Sequence, residues 1–432
     1  MRRLTIGICI AAGLIGCAPA APREDMNSIA ERYVKLVLKV GQHDKNFVDA
    51  YYGDPAWKPA EPALSLTELI GEAGVLKKQI AEVPRGSSGE SDDAMVHLRR
   101  EYLEKQVAAV EARILMLTGH KFSFDEEAER LYDAKPPTMT EADFQPALDE
   151  LERLLPGRGP LVDRYAAFRQ KYVIPTDKLD AVFRAAINGC RSKTLEHLKL
   201  PAGETFTVEY VKDKSWSAYN WYKGNFTSVI QVNTDLPITI DRAIDLACHE
   251  GYPGHHVYNA LLEQHLVRER GWVEFSVYPL FSPQSLIAEG TANFGIDVAF
   301  PGEARTAFER ETLYPIAGLA PATAETYAAV QRLIAKLSYA GNEAARKYLN
   351  GEIDRNAAAA WLQKWAMSPR DRAEQRTRFF DEYRSYVINY NFGQDLVRAY
   401  VEKRGGAEDK PDERWKIFGE LLSSPRLPSG LK

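Results

Sequence analysis

The chain has 432 residues, of which 45% are hydrophobic and 27% charged, ordinary proportions for a globular protein with one large domain or two smaller ones. Its net charge is −5 and no basic run with interleaved aromatics appears, so nothing in the composition points to nucleic acid as a partner.

Arg2 and Arg3 precede an apolar stretch from Leu4 to Ile15. That stretch is too short to span a bilayer and has the form of a signal-peptide core. It ends Leu14-Ile15-Gly16-Cys17, which resembles a bacterial lipobox. In that motif the cysteine becomes the lipidated first residue of the mature chain. Residues 1–16 therefore read as a lipoprotein signal peptide and Cys17 as the membrane anchor; cleavage of an ordinary signal peptide near Ala18–Ala21 is the alternative. Ala18, where an Asp would retain the protein at the inner membrane, favours by analogy the outer membrane of the cell envelope, facing the periplasm. Cys190 and Cys248 remain as the other thiols of the mature chain, and an oxidising envelope would permit a bridge between them.

The mature chain reads as mostly α. Ser28 with Glu31 has the form of a capping box, and Ile29, Tyr33, Leu36, Val37 and Val40 follow at helical spacing. Pro84–Gly89 reads as a loop. A helix is expected through Leu103, Val107, Val110, Ile114 and Leu117, with Gly119 just past its end. Thr138 with Glu141 is expected to cap another, through Leu151–Leu155, ended by Pro156-Gly157-Arg158-Gly159-Pro160. Near Pro201 the period changes. Thr205–Val211 alternates and is rich in β-formers, and Phe226–Asn233 is a second strand candidate. Pro237 and Thr239 then start another helix. Residues 17–200 read as an N-terminal helical region. Residues 201–432 read as a second region with a small sheet beside that helix.

That helix carries the most informative segment, His249-Glu250-Gly251-Tyr252-Pro253-Gly254-His255-His256, and Glu289 follows within Ala288-Glu289-Gly290-Thr291-Ala292-Asn293. Imidazoles and carboxylates are the ligands of a hydrolytic zinc ion, which takes three protein ligands and leaves one position open. Deleting Pro253-Gly254 would restore the simple His-Glu-x-x-His pattern, whose histidines share one helix face. A proline there removes a hydrogen bond and clashes with the preceding turn, so the pair is expected to bulge from the helix. In an unbroken helix His256 would share His249's direction but sit about 10.5 Å further along the axis, too far to share one ion. The bulge would bring His255 into the second ligand position and turn His256 aside, towards a carboxylate or the substrate. Cys248 points about 100° from His249 and reads as a small core residue.

This extended motif, with a later Glu-Gly on another helix, resembles the bacterial DUF885 family. Its members are often envelope lipoproteins and are similar to gluzincin metallopeptidases. The resemblance covers roughly residues 219–300 and weakens towards residue 405. It implies a helical metallopeptidase-like catalytic region holding one zinc ion by His249, His255 and Glu289. It also implies a peptide as substrate, attacked by zinc-bound water with Glu250 as general base. An amidase or esterase acting on a non-peptide substrate, or a non-catalytic lipoprotein with a structural metal, are the rival readings. The intact Glu250 argues against the last, because a structural site has no use for a base.

Further residues are candidates by position. Asp245 lies one turn before His249 and could orient its ring, or could be a simple helix-start charge. Asn293 lies one turn after Glu289 and could steady Glu289 or a histidine. Tyr390 and Arg384, in the late segment Tyr383–Gly393, are candidate donors for the oxyanion of peptide hydrolysis, although aromatics at the Tyr386/Tyr390 spacing are often core. The strand ahead of the motif helix could pair with an extended peptide, or could simply pack.

Overall fold

The computed structural model describes residues 25–83, 91–214 and 216–432. Cys17, the signal peptide and the expected loop at Pro84–Gly89 lie outside them. The protein is mostly α, with two small sheets, as the sequence implies.

Helix α1 (Met26–Gly41) buries Ile29, Tyr33, Val37 and Val40 in the core. It starts earlier than expected: Asp25, not Ser28, is the cap, and its carboxylate accepts from the Ser28 amide at 2.8 Å. Strand β1 (Val48–Tyr51) follows. Helix α2 (Leu66–Glu82) opens on a capping box in which Ser65 and Glu68 bond each other's backbone. The sequence reading assigned nothing there, although Ser-x-x-Glu is the signal. Helices α3 (Ser91–Leu117) and α4 (Phe124–Tyr132) come next, and Gly119 closes α3 at φ +95°, which only glycine adopts freely. Helix α5 (Glu141–Leu154) begins two residues later than a Thr138 cap would place it. Asp143 supplies the carboxylate that takes the Thr140 amide at 2.7 Å, so Thr140 is the cap. Helices α6 (Leu161–Gln170) and α7 (Leu179–His197) complete the first half.

The main sheet holds β2 (Thr205–Val211), β3 (Ala218–Gly224) and β4 (Thr227–Asn233) in the order β2-β4-β3, with β4 parallel to β2 and antiparallel to β3. Both expected strands form. The expected β4 loses Phe226, which with Asn225 makes a two-residue hairpin at φ 59° and 52°. Strand β3 was not expected, because Ala-Tyr-Asn-Trp-Tyr-Lys-Gly lacks clean alternation. Helix α8 (Ile240–Leu246), flanked by Thr239, leads into the motif, and α9 (His255–Leu262) follows it. Strand β5 (Val277–Pro279) pairs antiparallel with β1.

Helix α10 (Pro283–Ala299) is buried on almost every side. After it come α11 (Glu303–Phe308), α12 (Tyr314–Ala317), α13 (Ala324–Ala335), α14 (Ala340–Leu349), α15 (Arg355–Trp365), α16 (Arg370–Tyr383), α17 (Ile388–Lys403) and α18 (Pro411–Leu422). One contiguous apolar core gathers residues from Ile29 to Leu431. A smaller cluster forms where α5 meets α13 and α15, around Phe144, Leu151, Val330 and Trp365. Against α10 lies α17, at a distance set by two glycines: a Cβ on Gly290 would sit 2.5 Å from the Gly393 carbonyl oxygen. That close approach holds Glu289, on α10, against the segment that carries Tyr386 and Tyr390.

Candidate metal centre

The motif is a broken helix. Its first half continues from α8 into a wide π-type turn, Ala247–Gly251, and α9 restarts at His255. Pro253 has no amide hydrogen to give, and the ladder reforms around it: Gly254 donates to the Cys248 carbonyl at 3.0 Å and Tyr258 to the Gly254 carbonyl at 2.9 Å. The chain doubles back so closely that a Cβ on Gly254 would stand 1.8 Å from the His249 carbonyl oxygen. Only glycine fits there. The expected bulge is therefore a full interruption, and its consequence is the expected one, since it carries His255 to His249.

The two Nε2 atoms are 3.1 Å apart, with the rings nearly perpendicular at 88°. Glu289 Oε2 lies 3.2 Å from His249 Nε2 and 3.7 Å from His255 Nε2. Donor atoms held 2.0–2.1 Å from a tetrahedral ion stand roughly 3.3 Å from one another, so this triangle has the size zinc requires. The donor chemistry agrees. Asn293 donates its amide nitrogen to the Tyr390 carbonyl at 2.9 Å, which turns its Oδ1 towards His249 Nδ1 at 3.0 Å. A carbonyl oxygen can only accept, so Nδ1 carries the proton and Nε2 presents a lone pair. Glu289 Oε2 is buried and has no hydrogen-bond partner, while the Tyr386 hydroxyl donates to Oε1 at 2.8 Å. Ligand atoms from three residues thus face one point, and a cation there, or a proton shared among them, would satisfy their lone pairs.

The titration of these groups expresses the same demand. Burial alone would lower the His249 pKa, but the neighbouring Glu289 and Glu250 carboxylates outweigh it and raise it to about 9. Burial would raise Glu289; the two imidazoles hold it well below the usual carboxylate range. For Glu250 burial dominates and its pKa is raised, although His249, His255 and Arg242 pull the other way. Its backbone carbonyl is fixed by Asn220 Nδ2 of β3 at 2.7 Å. Among the described residues nothing hydrogen-bonds its carboxylate, which is therefore free to handle a proton beside the ion site.

His256 is turned aside and fully buried. Its Nδ1 meets Ser228 Oγ of β4 at 2.9 Å and its Nε2 meets Glu204 Oε2 at 3.0 Å. Glu204 also takes the Tyr252 hydroxyl at 2.6 Å and Arg191 at 2.7 Å. Through these bonds the motif is moored to the sheet.

Two candidates belong elsewhere. Asp245 does not orient His249: its carboxylate faces Arg305 at 2.8 Å and Arg242 at 3.1 Å, and Asn293 fills the orienting role. Arg384 does not face the site: it is bound to the buried Glu127 of α4 at 2.7 Å. Tyr390 is half-buried, its ring 5.8 Å from that of Tyr386. Burial, with Glu289 next, raises its pKa and keeps the phenol a proton donor. Sequence reasoning missed Tyr386 as the partner of Glu289. It also missed Asp49 of β1, whose carboxylate accepts from the Tyr219 hydroxyl. Burial first, then Glu289 and Glu250, raise the Asp49 pKa to about 8. No motif pointed to Asp49, two hundred residues before His249.

A disulfide joins Cys190 of α7 to Cys248, next to His249. The bridge that an oxidising compartment would permit is formed, and it accounts for Cys248 better than packing alone.

No family model matches the chain, and no curated protein matches it. Among solved structures it is similar to a protein of Colwellia psychrerythraea provisionally described as a lipoprotein. That match has a TM-score of 0.53 and 14% identity, and covers 87% of this chain and 69% of the other. A protein of unknown function from Shewanella oneidensis, also provisionally described as a lipoprotein, aligns over 83% of this chain and 72% of its own, with 14% identity and a TM-score of 0.40. At 14% identity the first likeness speaks for the fold alone, and the second is too remote to carry an argument.

Proposed function

We propose that the protein is a zinc-dependent hydrolase acting on peptide bonds, as the resemblance to the DUF885 family implies. The observation that carries this reading is the convergence of His249 Nε2, His255 Nε2 and Glu289 Oε2 within 3.1–3.7 Å of one another, beside a buried and unengaged Glu250. A zinc ion bound there would supply Lewis acidity. The protein's own groups do the rest. Glu250, with its raised pKa, takes a proton from the attacking water and returns it to the leaving amine. Tyr386 fixes the second oxygen of Glu289, and Asn293 fixes the tautomer of His249. Tyr390 is the donor closest in kind to what a developing oxyanion needs. Strand β4, the strand just ahead of the motif helix, has both edges taken by β2 and β3 and cannot pair with a peptide as expected; β3 is instead an edge of the sheet and touches Glu250 through Asn220, which suits an extended peptide.

The test is Glu250→Gln, which keeps the shape and removes the base. The variant is expected to bind zinc like the wild type and to lose at least about 10²-fold in peptide hydrolysis. Near-wild-type turnover by the zinc-loaded variant would sink the assignment. We further infer, from the lipobox at Cys17, an envelope protein held by an N-terminal lipid and facing the periplasm. The description of the Colwellia protein as a lipoprotein is in keeping with this. Cys17→Ser should release the protein to the soluble fraction or leave it unprocessed, and mature protein still on the membrane would count against the anchor.

A further inference from the structure

Two arginines of α16 are left without a hydrogen bond or ion pair among the described residues. Arg372 and Arg376 lie one turn apart on the same face of α16, both partly buried. The contacts of Arg376 are with rings: Phe379 at 4.5 Å, Phe380 at 5.8 Å and Tyr390 at 6.0 Å. Their neighbours are provided for. Arg370 meets Glu374 at 2.9 Å, Arg169 donates to Thr239 Oγ1 at 2.9 Å, and Arg242 meets Asp245 at 3.1 Å. Neither guanidinium has a nitrogen among the sealed, unpartnered buried atoms, so both forks are open to a ligand from the solvent side, and such an unpaired fork suits an anion.

Arg376 is linked to the candidate metal centre through two rings, and Arg372 stands one turn from Arg376 on the same helix face. Tyr390, beside Arg376, stacks edge-on against Tyr386, whose hydroxyl holds Glu289. Arg242, which acts on the Glu250 carboxylate, also acts on Arg372. Burial lowers the Arg372 pKa first and the like charge of Arg169 lowers it further, the neighbouring Asp371 pulls the other way, and Arg242 adds to the lowering; burial lowers Arg376 too. Positive charge is thus gathered around Arg372.

We propose that Arg372 and Arg376 form an anion subsite that takes the C-terminal carboxylate of a peptide whose scissile carbonyl lies at the metal centre. The planar guanidinium fork matches a carboxylate, and two forks on one helix face can hold it from two directions. An extended peptide rises about 3.3 Å per residue, so the path from Glu289 past the Tyr386 and Tyr390 rings is bridged by a few residues. The enzyme would then act near the free C-terminus of short peptides. This inference rests on the peptidase reading above.

The experiment uses pooled acetylated tripeptides in two forms, free acids and C-terminal amides. Binding to the zinc-loaded protein is measured by native mass spectrometry in the Glu250→Gln background, where peptide is not consumed. The acids should bind at least about tenfold more tightly than the amides, since a hydrogen-bonded charge pair is at stake. Arg372→Gln or Arg376→Gln should shrink that preference and the double change should abolish it. Arg376→Lys should keep part of it, and Arg370→Gln, on the exposed part of α16, should keep all of it. Equal affinity for acids and amides, or no binding of either, overturns the subsite. Failure of the peptidase reading shows separately, as zinc-loaded wild type that cleaves neither pool.

Discussion

Asn293 decides which nitrogen of His249 faces the ion site, because its own amide is committed to the Tyr390 carbonyl. The roles of the two adjacent histidines are set the same way, by what each ring can reach. His255 Nε2 opens onto His249 and Glu289, whereas both nitrogens of His256 are taken by Ser228 and Glu204. Mass spectrometry of the intact protein should therefore find His255→Ala and Glu289→Ala stripped of most of their zinc. Glu303→Ala, an exposed acid, should keep it. His256→Ala should also keep zinc while losing about 1–3 kcal/mol of stability, because it leaves buried polar partners unsatisfied. The reverse pattern for the two histidines would exchange their roles. The placement of the two rings was legible in the sequence because local geometry alone makes it: a proline and a glycine between the histidines must divert the helix. Asp245 and Arg384 were misread because their partners, Arg305 and Glu127, lie far along the chain, the latter 257 residues away. Spacing within a helix carries no information about such pairs.

Between elements, the decisive contact is the crossing of α10 and α17. Gly290 and Gly393 bring the backbones together so that Tyr386, just before α17, reaches Glu289, one residue before Gly290. An alanine at 290 would meet the Gly393 carbonyl carbon and oxygen at 2.6 and 2.5 Å, and backbone cannot step aside as a flexible side chain can. Gly290→Ala should cost at least about 1–3 kcal/mol in urea unfolding and lower zinc content as Glu289 is displaced. Gly341→Ala, in a helix with nothing within 4 Å of the new methyl, should be neutral or stabilise by up to about 1 kcal/mol. A Gly290→Ala variant as stable as Gly341→Ala would refute the account. No periodicity announces such a crossing, since glycine inside a helix reads only as a weak helix former. The elements that were legible, α1, α3, β2 and β4, carry their own signal in apolar spacing and caps. Strand β3 was hidden because the alternate positions it buries, Asn220, Tyr222 and Gly224, are polar or lack a side chain, while Trp221 lies on the opposite face, so the sequence shows no apolar alternation.

Across the whole molecule, the candidate metal centre is built from residues after position 200, and one covalent bond ties it to the helices before that position. Cys190 on α7 is tied to Cys248, 58 positions along the chain, and the stretch between them includes the entire main sheet. Closing a loop of that length in the unfolded chain removes entropy worth about 4 kcal/mol in the chain-entropy treatment, with measured bridges commonly at 2–4 kcal/mol. The bond also anchors the residue before His249 to a helix packed in the common core, so it steadies the proposed ligand His249 as well as the fold. Replacing both cysteines by serine should therefore lower the urea midpoint by an amount equivalent to about 2–4 kcal/mol and weaken zinc retention against a chelator. Chemical reduction of the wild type should reproduce both effects, whereas a purely local packing role would leave the midpoint of the reduced protein unchanged. A bond of this value is stable only where thiols are oxidised, which agrees with the envelope location proposed from the lipobox at Cys17. Expression in a reducing cytoplasm should thus yield protein with the lower midpoint, restored by oxidation after purification.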